Sequence, residues 1–220
     1  MNANTHQIKH QRKLVIVFRV SGYSVPLESM IQNDQNTNSQ LVHDQRLDWM
    51  WEPSRKDRLL IRLKLKKLDP QSEIDQAMKG AYEFICEKYQ PGDDVILMFD
   101  GHKSDPRPMG AAELLARHLC EGTRPPDFSK AQSNAGGNIA SRRIPIHCVA
   151  EFFWSSPKIT SVSNDELRSR FPLGTEHVIC YVHDPTTGGT ESYSTTYDAD
   201  GSIISREVLT MGLMIRCHSF

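Results

Sequence analysis

IDQAMKGAYEFICEKYQPGDDVILMFDGHKSDPRPMGAAELLARHL, residues 74 to 119, parses as helix, turn, strand, loop and helix. Ile74, Met78, Ala81, Tyr82, Ile85 and Tyr89 recur at three- and four-residue steps, which lays one apolar stripe along a helix. Pro91-Gly92 ends it, because proline cannot continue the hydrogen-bond ladder and glycine tolerates the turn. Val95 to Phe99 is a continuous apolar run, the mark of a strand covered on both faces. Helical spacing resumes from Met109 through Leu114, Leu115 and Leu119. A helix feeding a buried strand that feeds another helix is the unit of an α/β fold with a mostly parallel sheet flanked by helices. Ligands of such sheets bind in the loops after the strands' carboxyl ends, here Asp100 to Pro108.

Outward from that unit, Leu14 to Phe18 is a second continuous apolar run and reads as the first core strand. Ile144 to Val149 and Val178 to Val182 complete an expected mostly parallel sheet, with helices at 74–89 and 109–119 against it. Glu191 to Tyr197 and Ser202 to Leu209 flank Asp198-Ala199-Asp200-Gly201, a hairpin signal. Residues 31 to 48 are rich in Asn and Gln and read as a mobile surface loop. Trp49-Met50-Trp51 reads as an aromatic plug at the core edge, and Leu59 to Leu65 as a half-exposed strand with a basic, solvated face. Gly122 to Arg143 is loop by composition. We expect a flexible tail over residues 1–12 and a single domain over 13–220.

The chain has 220 residues, 38% hydrophobic, with a formal net charge of −1. That balance gives no electrostatic reason to expect nucleic acid as a partner. No segment supplies the roughly 20 apolar residues needed to span a bilayer, and no apolar run suits a signal peptide. Five cysteines, odd in number and without a CxxC pair, fit buried thiols in a reducing compartment, so a cytoplasmic location is expected.

Ala81 to Met98, AYEFICEKYQPGDDVILM, resembles the segment before the nucleophile in the domain-of-unknown-function 2235 family. These are α/β-hydrolases that include phospholipase effectors of type VI secretion. The resemblance implies an α/β-hydrolase-like fold and a lipid or ester substrate. Ile144 to Trp154 is similar to the family's strand ending in the aspartate that orients the catalytic histidine, and Arg170 to Asp184 to a later segment. Ile215 to Phe220 resembles the stretch holding that histidine, which implies the role for His218. The chain departs from the pattern at the chemistry. The family's GxSxG elbow is replaced by Phe99 to Gly110, its aspartate falls at Phe153 or Ser155 with Glu151 the nearest acid, and its first-strand loop is replaced by Arg19 to Tyr23. The chain also ends where the family continues into a helical remainder, so the domain reads as degenerate and incomplete.

Three functional classes follow. The chain is a catalytically impaired hydrolase-like protein kept as a binding or regulatory module, an active serine ester hydrolase with a relocated nucleophile, or a truncated product with little function. In the active form the nucleophile is Ser104, with His102, His183 or His218 as base. The impaired reading is preferred. Loop 100–108 lacks the glycine spacing of an elbow, Pro106 and Pro108 are expected to hold extended backbone, and Ser104 is expected to face solvent. A further alternative is a caspase-like cysteine protease, since His102 after Gly101 at a strand end, with Cys148 on a later strand, resembles that family's histidine loop and cysteine strand. His102, Asp100 and Asp105 are also residue types that hold divalent ions. They read here as solvated turn chemistry, so no metal and no cofactor is expected.

Overall fold

The computed structural model describes residues 12–21, 40–48, 63, 70–100, 105–126, 142–154, 164–183 and 189–211. Its centre is a seven-stranded sheet in the order β2-β1-β3-β4-β5-β6-β7. The strands are β1 (Lys13–Val20), β2 (Gln40–Leu47), β3 (Asp94–Asp100), β4 (Cys148–Trp154), β5 (His177–His183), β6 (Thr190–Tyr197) and β7 (Ile203–Met211). The first five are parallel, and β6 and β7 return antiparallel as a hairpin. The helices are α1 (Pro70–Lys88), α2 (Arg107–Glu121) and the short α3 (Asn164–Ser169). The fold is α/β, with a mostly parallel sheet.

Strand alternation sorts the apolar runs onto two faces. Leu14, Ile16 and Phe18 of β1 join Val95, Leu97 and Phe99 of β3 on one face, where Met78, Ala81 and Ile85 of α1 and Ala112, Leu115 and Leu119 of α2 close over them. Val15, Val17, Met98, Ala150, Phe152 and Tyr181 form a second apolar cluster on the other face. Both sets are buried, which is why the central strands read as unbroken hydrophobic runs.

Four expectations need correction. Part of the polar stretch 31–48 is β2, a strand paired along its length with β1. An edge strand has one neighbour, and β2 meets the helical face through Leu41, Leu47 and a stacked His43–Phe84 pair, so few apolar residues suffice. The strand expected over Ile144–Val149 starts at Cys148 and runs on to Trp154. Pro145 has no N–H for a ladder, and Ile144 instead donates its N–H to Leu119 O at 2.9 Å. The helix expected from Met109 starts at Arg107. Pro106 caps it at φ −77°, ψ −2°, and Pro108 sits in the first turn, where its missing N–H costs nothing. These prolines therefore start a helix and do not hold extended backbone. Of the expected strand 59–65, Leu63 alone is described, exposed in a turn; Trp49 to Trp51 lie outside the described residues.

Helix α1 ends just before Pro91-Gly92, with Gly92 at φ +96°, as its sequence requires. The β6–β7 hairpin turns through Gly201 at φ +89°. Among the described residues no helix is long and apolar enough to cross a membrane.

Candidate functional site

The order β2-β1-β3 makes β1 the point from which the chain is laid outward in both directions. In open α/β sheets the crevice at such a switch lies beyond the carboxyl ends of the two diverging strands, here β1 and β3. Both strands end in charge that is out of water: Arg19 is 4% exposed and Asp100 is 4% exposed.

Arg19 is held by a two-pronged hydrogen bond to Asp44 of β2, Nε to Oδ1 at 2.7 Å and Nη2 to Oδ2 at 2.5 Å. Arg46 adds a third contact to the same carboxylate at 3.1 Å. Burial alone would push the Asp44 carboxyl up, but the hydrogen bonds from Arg19 and Arg46 outweigh it and hold the group below its ordinary value. Beyond β3, Arg107 opens α2 as one of the largest fully buried side chains. It donates Nε to Asp105 Oδ1 at 2.8 Å and Nη2 to Asp105 Oδ2 at 2.6 Å, bonds Glu73 of α1, and reaches Asp48 O at 2.9 Å. The fork of a guanidinium matches a carboxylate in two parallel bonds, so this node ties loop, both helices and the end of β2 together.

Asp100 stands between these two clamps. It accepts a backbone hydrogen bond from Val20, while Oδ2 is buried with no partner among the described residues. Burial pushes its carboxyl up to about 7, with Asp105 adding to the rise and Val20 and Arg19 opposing it. A carboxyl that exchanges its proton near neutrality, at a strand's carboxyl end, has the properties of a proton-transfer or ligand-binding group.

Glu151 lies one strand over but on the opposite face, paired in register with Phe99. It is 2% exposed and pushed up to about 7 by burial, and its Oε2 has no partner among the described residues. Phe153 shares that face and is 3% exposed within the helix-covered core.

Ser104, His102 and His218 lie outside the described residues, as does Ser155. Asp105 of the loop cluster is engaged by Arg107. His183 ends β5 with its Nδ1 3.2 Å from Thr190 Oγ1. Cys148 opens β4 opposite Ile96, whereas Asp100 pairs with Phe152. Four residues of strand, about 13 Å at ~3.3 Å each, therefore separate Cys148 from the level where the His102 loop departs. Burial pushes the thiols of Cys86, Cys120 and Cys180 up, the last to about 12, so these three stay protonated.

The sequence marks Asp100 only as a candidate metal ligand and assigns no site role to Arg19, Asp44 or Arg107. Arg19 closes the apolar run of β1, and Asp105 and Arg107 stand two residues apart at a helix start. Those are the usable signals. Asp44 carries none, because its strand has the composition of a loop.

No protein-family profile matches the chain. No curated protein matches it.

Proposed function

We propose that the chain is a catalytically impaired α/β-hydrolase-like protein that works as a binding module, taking a polar ligand at the carboxyl edge between β1 and β3. The carrying observation is the buried carboxyl of Asp100, whose Oδ2 lacks a partner among the described residues while the charged groups on either side hold one another. Such an oxygen accepts a hydrogen bond when ionised and donates one when protonated. Impairment is supported by Phe153, a buried apolar side chain at one of the two positions, 153 or 155, on which the resembling family's triad aspartate falls. A fluorophosphonate probe tests it: the full chain stays unlabelled, and stoichiometric labelling lost in Ser104→Ala overturns the reading. A measured ester-hydrolysis rate must exceed the roughly 10³- to 10⁴-fold enhancement that a broken triad retains before it counts against impairment.

A second reading, an active hydrolase with Ser104 as nucleophile, draws support from Asp100 itself. It lies four residues before Ser104, and with a pKa of about 7 it suits a general base. Asp100→Asn then abolishes any hydrolysis that Ser104→Ala abolishes. The caspase-like reading loses its support at Cys148, which lies toward the wrong end of β4.

A further inference from the structure

The opposite, amino-terminal edge of the sheet gathers a second set of side chains. His147 immediately precedes β4, and Glu176 and His177 stand at the start of β5. One ligand atom from each of the three lies within 4.8 Å of the others. His147 Nδ1 is 3.1 Å from Glu176 Oε2 and 3.8 Å from Asp94 Oδ1, the carboxylate that opens β3. The two imidazoles meet edge to face, their centroids 4.8 Å apart at 66°. Both sit on fixed backbone: His147 N donates to Val95 O at 2.9 Å, and His177 N donates to His147 O at 3.0 Å.

We propose that His147, Glu176 and His177 bind a divalent transition-metal ion, Zn²⁺ by ligand chemistry, with Asp94 completing or supporting the coordination. Two imidazoles and a carboxylate are a zinc donor set, and a fourth position is filled by water or a further carboxylate. Zn–N and Zn–O bonds of about 2.0–2.2 Å place tetrahedral ligand atoms roughly 3.3–3.5 Å apart. The His147–Glu176 pair, at 3.1 Å, already sits near that spacing, and Glu176, whose side chain is 59% exposed, can change rotamer to complete the set. His177 Nδ1 lies 3.2 Å from Thr196 Oγ1 across the β5–β6 ladder. That contact orients the ring as outer-sphere hydrogen bonds orient metal-bound histidines, and Nε2 is then the nitrogen for the ion. The ion would staple β3, β4 and β5 at the edge away from Asp100, and the assignment is independent of the function proposed above.

The full chain, purified without a histidine tag and stripped with chelator, is titrated with Zn²⁺ by calorimetry and with Co²⁺ by visible absorption. The expected result is one strongly bound ion per chain, with the intense d–d bands of a four- or five-coordinate Co²⁺ site. His147→Ala and His177→Ala each weaken binding at least about 100-fold, and Thr196→Val about tenfold through the ring orientation alone. Glu176→Gln, at an exposed position that does not endanger folding, weakens binding and shifts the Co²⁺ spectrum. Absence of a strong site in the wild type, or a site unchanged in Glu176→Gln and both alanine variants, overturns the assignment.

Discussion

The charged clusters around Asp100 and around His147, at the two ends of the same parallel strands, are held differently. At the carboxyl end, Arg19, Asp44, Asp105 and Arg107 are locked in two-pronged pairs, with Arg19, Asp105 and Arg107 buried. At the amino end Arg12 and Asp93 form one such fork before β1 and β3, but His147 and Glu176 are partly open to water and meet through a single contact at 3.1 Å. Removing a partner from a buried pair strands a charge in a medium that cannot solvate it, whereas removing an open one returns water to its neighbour. The difference teaches which groups hold the fold and which are available to something else. Asp100 is the exception at the locked end, being buried like the clamps but with one oxygen unclaimed by the described residues.

The sharpest way to break this contrast is Arg107→Ala. It leaves Asp105 buried without its cation and is expected to cost about 3–5 kcal/mol in denaturant unfolding; a loss below about 1 kcal/mol would mean that the node is not structural. Next comes pH. Asp100 and Glu151 rise from ordinary values of 3.8 and 4.5 to about 7 on folding, so between those limits the folded chain binds more protons than the unfolded one. Their protonated forms favour the fold: the contribution is complete below about pH 4 and is lost as pH rises through about 7. Asp100→Asn removes one titration, and across that window its unfolding free energy should fall less than the wild type's by on the order of 4 kcal/mol. Asp44→Ala frees Arg19 from its fork and should cost about 2 kcal/mol by the same unfolding measurement. Glu176→Ala, without metal, should stay within about 0.5 kcal/mol, since it removes an exposed contact. An effect there as large as that of Asp44→Ala would erase the distinction between the two edges.

The central strands were legible because they are buried on both faces, and an unbroken apolar run as short as Val95 to Phe99 fits little else. The hairpin was legible from its turn residues. β2 was not, because an edge strand whose inward contacts include His43 and an ion pair has no apolar signature to read. The start of α2 is misplaced because Pro106 and Pro108 are expected to hold extended backbone, when at a helix's first turn proline is an initiator. The clamps are tertiary facts. Glu73 and Arg107 are 34 positions apart in the chain, and only the packing of the two helices brings them together. The histidines at the amino edge carry no sequence signal because they lie 30 positions apart, one just before β4 and one opening β5, and strand register makes them neighbours.

The interior position of β1, between β2 and β3, also bears on how the chain is made. Lys13 pairs with Asp94, so the strand first in sequence waits for its inner neighbour until some 80 more residues are synthesised. At about 5–20 residues per second that is roughly 4–16 s. During that interval LVIVF, β-branched and uncharged, is the kind of segment that self-associates. Lys13 and Arg19 bracket it with positive charge, the arrangement by which natural sequences guard an unavoidable sticky strand. Arg19 thus serves the nascent chain before it serves the folded one, and its replacement by an apolar residue should raise aggregation during synthesis as well as loosening Asp44.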